Sequence, residues 1–182
     1  TSASFSPDSI KRLASHFADP QIAAVGGVYD CERNGSDGEK RYWRFQNALR
    51  LSEASIDSVL GLSGALYAFR RDLFVPVAAD TINDDFVMPM QMVLAGNRVV
   101  LDANVSVREI ERTAPGQESA RRIRIGAGNF QQMIRLRGLA NPLRPVLAYC
   151  FVSGKGLRSV MAFFMLVAFL ANMALASEST FY

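Results

Sequence analysis

Histidine, cysteine and tryptophan are nearly missing from this 182-residue chain, which has one His, two Cys and one Trp. A Ser-His-Asp triad needs its histidine, and a zinc site needs several His or Cys at ligand spacing. His16 has no such neighbours and reads as a solvated residue of a surface helix. Cys31 and Cys150 are far apart and read as reduced thiols of a cytosolic domain. Acids are missing from a long stretch: Ser119 to Arg158 carries eight basic residues and no Asp or Glu. Charge of either sign is missing from Ser159 to Ser177. A run of about 20 apolar residues crosses a bilayer, and a buried core helix is the other way to use one.

The basic stretch precedes the apolar run, the arrangement of a cytoplasmic flank before a membrane span. Ser119 to Arg158 is therefore expected on the cytoplasmic side and Glu178 to Tyr182 on the far side. No nucleic-acid fold motif accompanies the charge, so nucleic-acid binding is set aside. The chain begins at Thr1 without Met or a signal peptide, and a piece of a longer protein is expected. A single boundary falls near Pro142. It divides an α/β domain (1–141) from a membrane-associated helical segment (142–182).

What is there alternates between strand and helix signals. Ser6-Pro7-Asp8 opens a helix over 7–17, with Ser as N-cap and Pro at the first helical position. Ile22 to Tyr29 is a buried strand and Cys31 to Gly38 a polar loop. Glu39 to Ile56 has helical spacing, with Trp43, Ala48, Leu51 and Ile56 on one face. A short strand over 65–70 follows, then a helix over 84–95 stopped by Gly96. Arg98 to Val107 is a strand broken at Asp102-Ala103-Asn104. Gln117 to Arg137 is a basic helix interrupted at Gly126-Ala127-Gly128. Strands alternating with helices give an α/β layer fold.

The residues that carry chemistry begin with Asp84 and Asp85. If Asn83 caps the helix, both acids lie in its first turn, where the helix dipole and free amides favour ionisation. An ionised carboxylate there can take a proton from an attacking hydroxyl, or can simply complement the dipole. Arg121 and Arg124 are three apart on one helix face, and guanidinium forks match diphosphate oxygens. The same pair would also suit anionic headgroups, where Arg135, Arg137 and Arg144 are expected. Ser63-Gly64-Ala65 is either an ordinary turn or a place where a sugar approaches the backbone. Trp43 can stack on a sugar face or sit in the core.

Taken in order, these pieces resemble the family 2 glycosyltransferases, in particular the membrane-bound synthases of the cellulose, chitin and hyaluronan type. The matching run is Phe5-Ser6-Pro7-Asp8, Asp19-Pro20, Ile22 to Gly27, Glu53, Ser63-Gly64-Ala65, Tyr67 to Arg71, Asn83-Asp84-Asp85, Gly96 to Val99 and Arg121 to Arg124. The resemblance covers nearly the whole chain. It implies a partial GT-A fold with a C-terminal interfacial or transmembrane segment, and inverting transfer from a nucleotide-sugar donor, expected to be a UDP-sugar. The acceptor would be a glycan or a lipid, at the inner (plasma) membrane with the catalytic part cytoplasmic. It makes Asp85 the general base and Asp84 its partner, places Ser63, Gly64, Ala65 and Trp43 on the acceptor side, and sets Arg121 and Arg124 against the donor diphosphate. Ile125 stands where that family's motif has Trp, and Gly154 where Ser-His-Lys has His.

The family's uridine-binding strands and Asp-x-Asp metal ligands precede the segment matched here, and no Asp precedes Asp8. Mg²⁺ or Mn²⁺ is expected for the full-length enzyme, with ligands outside this chain. By itself the chain is expected to turn nothing over. A non-catalytic, membrane-tethered binding module on a degenerate frame is the alternative reading.

Overall fold

The structure, a computed structural model, describes residues 3–30, 36–109 and 115–176. Cys31 and the segment from Glu178 onward lie outside them. The protein is mixed α/β, as its sequence implies. Strand β1 is Ala3–Phe5, β2 Ile22–Tyr29, β3 Tyr67–Phe69 and β4 Arg98–Glu109. They form one sheet in the order β1-β4-β2-β3. The central pair β2 and β4 is parallel, and each edge strand is antiparallel to its neighbour. Parallel strands covered on both faces read as continuous apolar runs, which is why Ile22 to Gly27 is buried throughout.

The break expected at Asp102-Ala103-Asn104 is a bulge inside one strand. Gly27 pairs with Asp102 while the next residue, Val28, pairs with Ser106. A Cβ on Gly27 would meet the Val105 carbonyl oxygen at 2.5 Å, so the bulge depends on a glycine. Asp102 then turns toward His16, whose Nε2 lies 3.0 Å from its Oδ2. Burial pushes the Asp102 carboxyl up, but the Asn104 amide and His16 outweigh it and hold it below its ordinary value. His16 is thus a half-buried hydrogen-bond partner of Asp102, not a solvated side chain.

The first helix, α1, is Ser9–Ser15, shorter than expected because Asp8 rather than Ser6 is its N-cap. Helix α2, Asp37–Ile56, starts at a capping box in which the Ser36 and Glu39 side chains each bind the other's backbone amide. Arg98 closes its far end, donating from Nε to the Asp57 carbonyl (3.0 Å) and from Nη2 to that of Ala54 (3.2 Å). Ala54 is the buried residue of α2, whereas Ile56 is exposed. Helix α3 is Asp84–Leu94, and Gly96 follows it at φ +94°, as its position past the helix end requires.

Helix α4, Pro115–Arg135, runs unbroken through Gly126-Ala127-Gly128. Helix α5, Pro145–Phe151, buries Leu147 and Phe151 in the core. A π-helical turn, Val152–Gly156, leads into α6, Leu157–Ala176, which has no buried residue. Together Pro145–Ala176 form one helix of 32 residues, long and apolar enough to cross a membrane, with a mean hydropathy of 2.1 in its most apolar stretch. The core lies between the sheet and its helices, around Val25, Val59, Met90, Val93, Val99, Val105 and Phe151.

Candidate active site

The acid pair sits where the loop 80–83 turns into α3. Asn83 holds the N-cap position, and its carbonyl accepts from the amides of Phe86 (3.2 Å) and Val87 (3.0 Å). Its side chain does not cap the helix. It donates to Asn129 Oδ1 (3.4 Å) and Gln132 Oε1 (3.2 Å) on α4 instead. The same helix holds the rest of the loop. Gln131 accepts from the Ile82 amide and donates to the Asp80 carbonyl. Arg135 donates to Thr81 Oγ1 and Asp80 Oδ2, each at 2.6 Å. Gly128 permits this approach, because a Cβ there would lie 2.6 Å from the Asn83 amide group.

Asp84 is exposed and Asp85 half-buried. Burial pushes the Asp85 carboxyl up from its ordinary value and the like charge of Asp84 adds to it, while the Phe86 amide, Lys155 and Arg50 pull it down. Gly64 lies against this carboxylate, with its hypothetical Cβ 3.0 Å from Asp85 Oδ2. Gly61, at φ +95°, lets the chain pass over the Phe86 ring, which a Cβ there would meet at 2.5 Å. Ser63 Oγ accepts from the Ala65 amide at 3.4 Å, closing the turn. Burial pushes the Tyr67 hydroxyl up, and the charges of Asp84 and Asp85 push it further, so Tyr67 lies in their field.

On its other side Asp85 faces two cations that were not among the expected site residues, Lys155 and Arg50. Lys155 Nζ stands 4.8 Å from the centre of the Phe86 ring. Arg50, on α2, is held below its ordinary pKa by burial, against the attraction of Glu53 and Asp85. Glu53 is one turn further along α2, and its Oε2 accepts from the Leu60 amide at 3.0 Å. Burial raises the Glu53 pKa, while the Leu60 amide, Lys155 and Arg50 lower it. Arg50, Glu53 and Lys155 line a cleft of about 360 Å³ between α2 and the π-helical turn. Glu53 belongs to the run that carries the family resemblance, Arg50 does not, and Lys155 is the one charged residue between Arg144 and Arg158.

The remaining candidates stand apart from this group. Arg121 and Arg124 have exposed side chains on α4, and neither is among the cations that act on Asp85. Trp43 is half-buried, with ring centres 4.4 Å from Tyr29 and 5.5 Å from Tyr42. Two arginines expected on lipid are bound to protein. Arg135 holds the 80–83 loop, and Arg144 donates to Asp57 Oδ1 at 2.7 Å and to the Val93 carbonyl at 3.0 Å. The charge of each is satisfied by a carboxylate remote in sequence.

Asp84 and Asp85 do not fit a divalent metal site by themselves. Among the described residues no group of three or more His, Cys, Asp or Glu converges, and the neighbours of Asp85 on its inner side are cations.

No family model matches the sequence, and no curated protein matches it. Solved structures do. A mannosyltransferase from Pyrobaculum calidifontis, solved in complex with GDP-Man and Mn²⁺, superposes with a TM-score of 0.57 at 21% sequence identity. The match covers 96% of this chain and 52% of that one, so the chain spans about half the length of the mannosyltransferase. The likeness is one of fold.

Proposed function

We propose that this chain is the acceptor-and-base part of a membrane-bound, inverting glycosyltransferase of the family 2 type. The observation that carries the reading is the half-buried Asp85 carboxylate. It lies under the Gly64 turn and faces Lys155 and Arg50, in a fold shared with a mannosyltransferase. A carboxyl whose pKa is raised is a stronger base once ionised, and Lys155 and Arg50 act against the rise.

In the proposed reaction Asp85 takes the proton of an acceptor hydroxyl as its oxygen attacks the anomeric carbon. The new glycosidic bond forms on the face opposite the bond to the nucleoside diphosphate. That bond breaks, and its electron pair leaves with the diphosphate. Arg121 and Arg124 are assigned to the departing diphosphate, where guanidinium charge offsets the developing negative charge. Ser63, Gly64 and Ala65 border the acceptor, because a turn without bulky side chains lets a sugar ring come close to Asp85. Trp43 is assigned to the acceptor path further along α2. The donor, a UDP-sugar, and its Mg²⁺ or Mn²⁺ are assigned to residues outside this chain. Helix α6 is assigned to the inner (plasma) membrane, with the basic stretch before it on the cytoplasmic side.

Replacing Asp85 by Asn in the full-length enzyme tests the assignment. Turnover should fall by about 10² to 10⁴ while donor binding is kept. Unchanged turnover would remove Asp85 from the mechanism.

A further inference from the structure

The cleft between α2 and the π-helical turn has two kinds of wall. Arg50, Lys155 and Arg158 supply positive charge, and Glu53 supplies the one carboxylate. Among the described residues none of the three cations makes a close ion pair or donates a side-chain hydrogen bond; Lys155 stands over the Phe86 ring, and Arg50 and Lys155 attract Glu53 and Asp85 only at longer range. Glu53 already has one oxygen on the Leu60 amide. Guanidinium and ammonium groups around a cleft, with no acceptor in hydrogen-bond reach, call for an anion with several oxygens. The other wall is apolar: Phe45 and Leu49 from α2 and Met161 from α6, all exposed to the cleft or to solvent.

The place of the cleft in the fold decides which anion. Met161 belongs both to the cleft and to α6, whose side chains are unburied from Leu157 to Ala176. The charged wall thus meets the apolar wall where the membrane-spanning helix begins. A free anion would use the cations and leave the apolar wall wet. An amphiphile with a phosphate head uses both. Lys155 lines the cleft and stands 4.8 Å from the ring centre of Phe86, the residue after Asp85, so the head of such a ligand lies near the proposed base.

We propose that this cleft binds the phosphate head of a lipid-linked sugar, the acceptor, with its chain running along Phe45, Leu49 and Met161 toward the bilayer and its sugar hydroxyl toward Asp85. The inference rests on the transfer reading above and names the acceptor class for it. A lipid-borne sugar keeps a hydroxyl that needs a base, which gives Asp85 its task.

Calorimetric titration of the 182-residue chain in neutral detergent tests it, with four probes: dodecyl diphosphate carrying one hexose, dodecyl phosphate, inorganic phosphate and phosphatidylglycerol. Both dodecyl probes should bind. Inorganic phosphate should bind at least about ten-fold more weakly, because it buries no chain. Phosphatidylglycerol should not displace the hexose-bearing probe. Arg50→Gln with Arg158→Gln should weaken both dodecyl probes by about ten-fold or more, as should Arg158→Gln alone to a smaller degree. Arg158 is exposed, so the single variant keeps the fold even if the double variant does not. Arg41→Gln and Arg137→Gln, exposed and away from the cleft, should change neither.

Unchanged affinity in Arg158→Gln, or inorganic phosphate binding as tightly as the dodecyl probes, would overturn the proposal. Phosphatidylglycerol displacing the hexose-bearing probe would make this a site for bilayer lipid and overturn the acceptor assignment. Asp85→Asn should keep or strengthen dodecyl phosphate binding. Lost turnover in that variant together with absent probe binding would leave the transfer reading standing and this one fallen. The converse pair would do the reverse.

Discussion

Gly64 and Asp85 are in direct contact: a Cβ on Gly64 would stand 3.0 Å from Asp85 Oδ2. The turn and the carboxylate come from segments about twenty residues apart and are brought together by β3 and α3. In the proposed reading that contact gives the acid a task beyond complementing the helix dipole, because it sets the carboxylate beneath a strip of backbone without bulky side chains.

Gly64→Ala should therefore act on the base rather than on the fold. The added methyl must push the carboxylate aside by a few tenths of an ångström. Turnover in the full-length enzyme should drop by about ten-fold, since small misplacements at a reacting centre are costly. Gly64 is exposed, so the melting temperature should stay within a few degrees. Steady-state kinetics beside a thermal melt separates the two; a large loss of stability with full activity would contradict the contact's proposed role.

Asn83→Ala should act on both. It removes the donor to Gln132 Oε1 and Asn129 Oδ1, and Gln132 is buried. Leaving a buried acceptor unmatched costs about 1–3 kcal/mol. Urea unfolding should show that loss, and turnover should fall as the loop ahead of Asp84 loosens from α4. An unchanged urea midpoint would mean that Asn83 is not what holds α4 to this loop.

Much of this was legible along the chain. Ile22–Tyr29 matches its strand residue for residue, because a strand buried on both faces is simply a continuous apolar run. Gly96 ends α3 where its position past the last apolar residue said it should. The Ser63-Gly64-Ala65 turn and the acid pair do meet. What was not legible depends on contacts remote in sequence. Arg144 reaches Asp57 across 87 positions and His16 reaches Asp102 across 86, so no local pattern announces either. The glycines at 126 and 128 looked like a helix break, yet Gly128 is a point of close approach to Asn83 and the helix carries on. Arg50 gave no signal, since a single arginine on a polar helix face looks solvated until the chain returns at Lys155.

The apolar helix gives a separate test. Leu166 and Leu170 are exposed on α6. Leu166→Arg with Leu170→Arg places two charges near the middle of the span, at about 2.5–3.5 kcal/mol each. In vesicle flotation the unaltered chain should rise with the lipid and the double variant should largely remain below. Equal flotation would remove α6 as the anchor.

The central claim is that Asp85 is the base, and the pH dependence of kcat/KM in the full-length enzyme tests it most directly. A base must be ionised to act, and Asp85 has its pKa raised by burial and by Asp84. Activity should therefore be lost on acidification at a pH above the ordinary Asp value of about 3.9. Removing the like charge with Asp84→Asn lowers the Asp85 pKa and should move that acidic limb to lower pH. Removing the opposite charge with Lys155→Gln raises it and should move the limb to higher pH. Opposite displacements in the two variants are the predicted result. An acidic limb that stays in place in both would contradict Asp85 as the base.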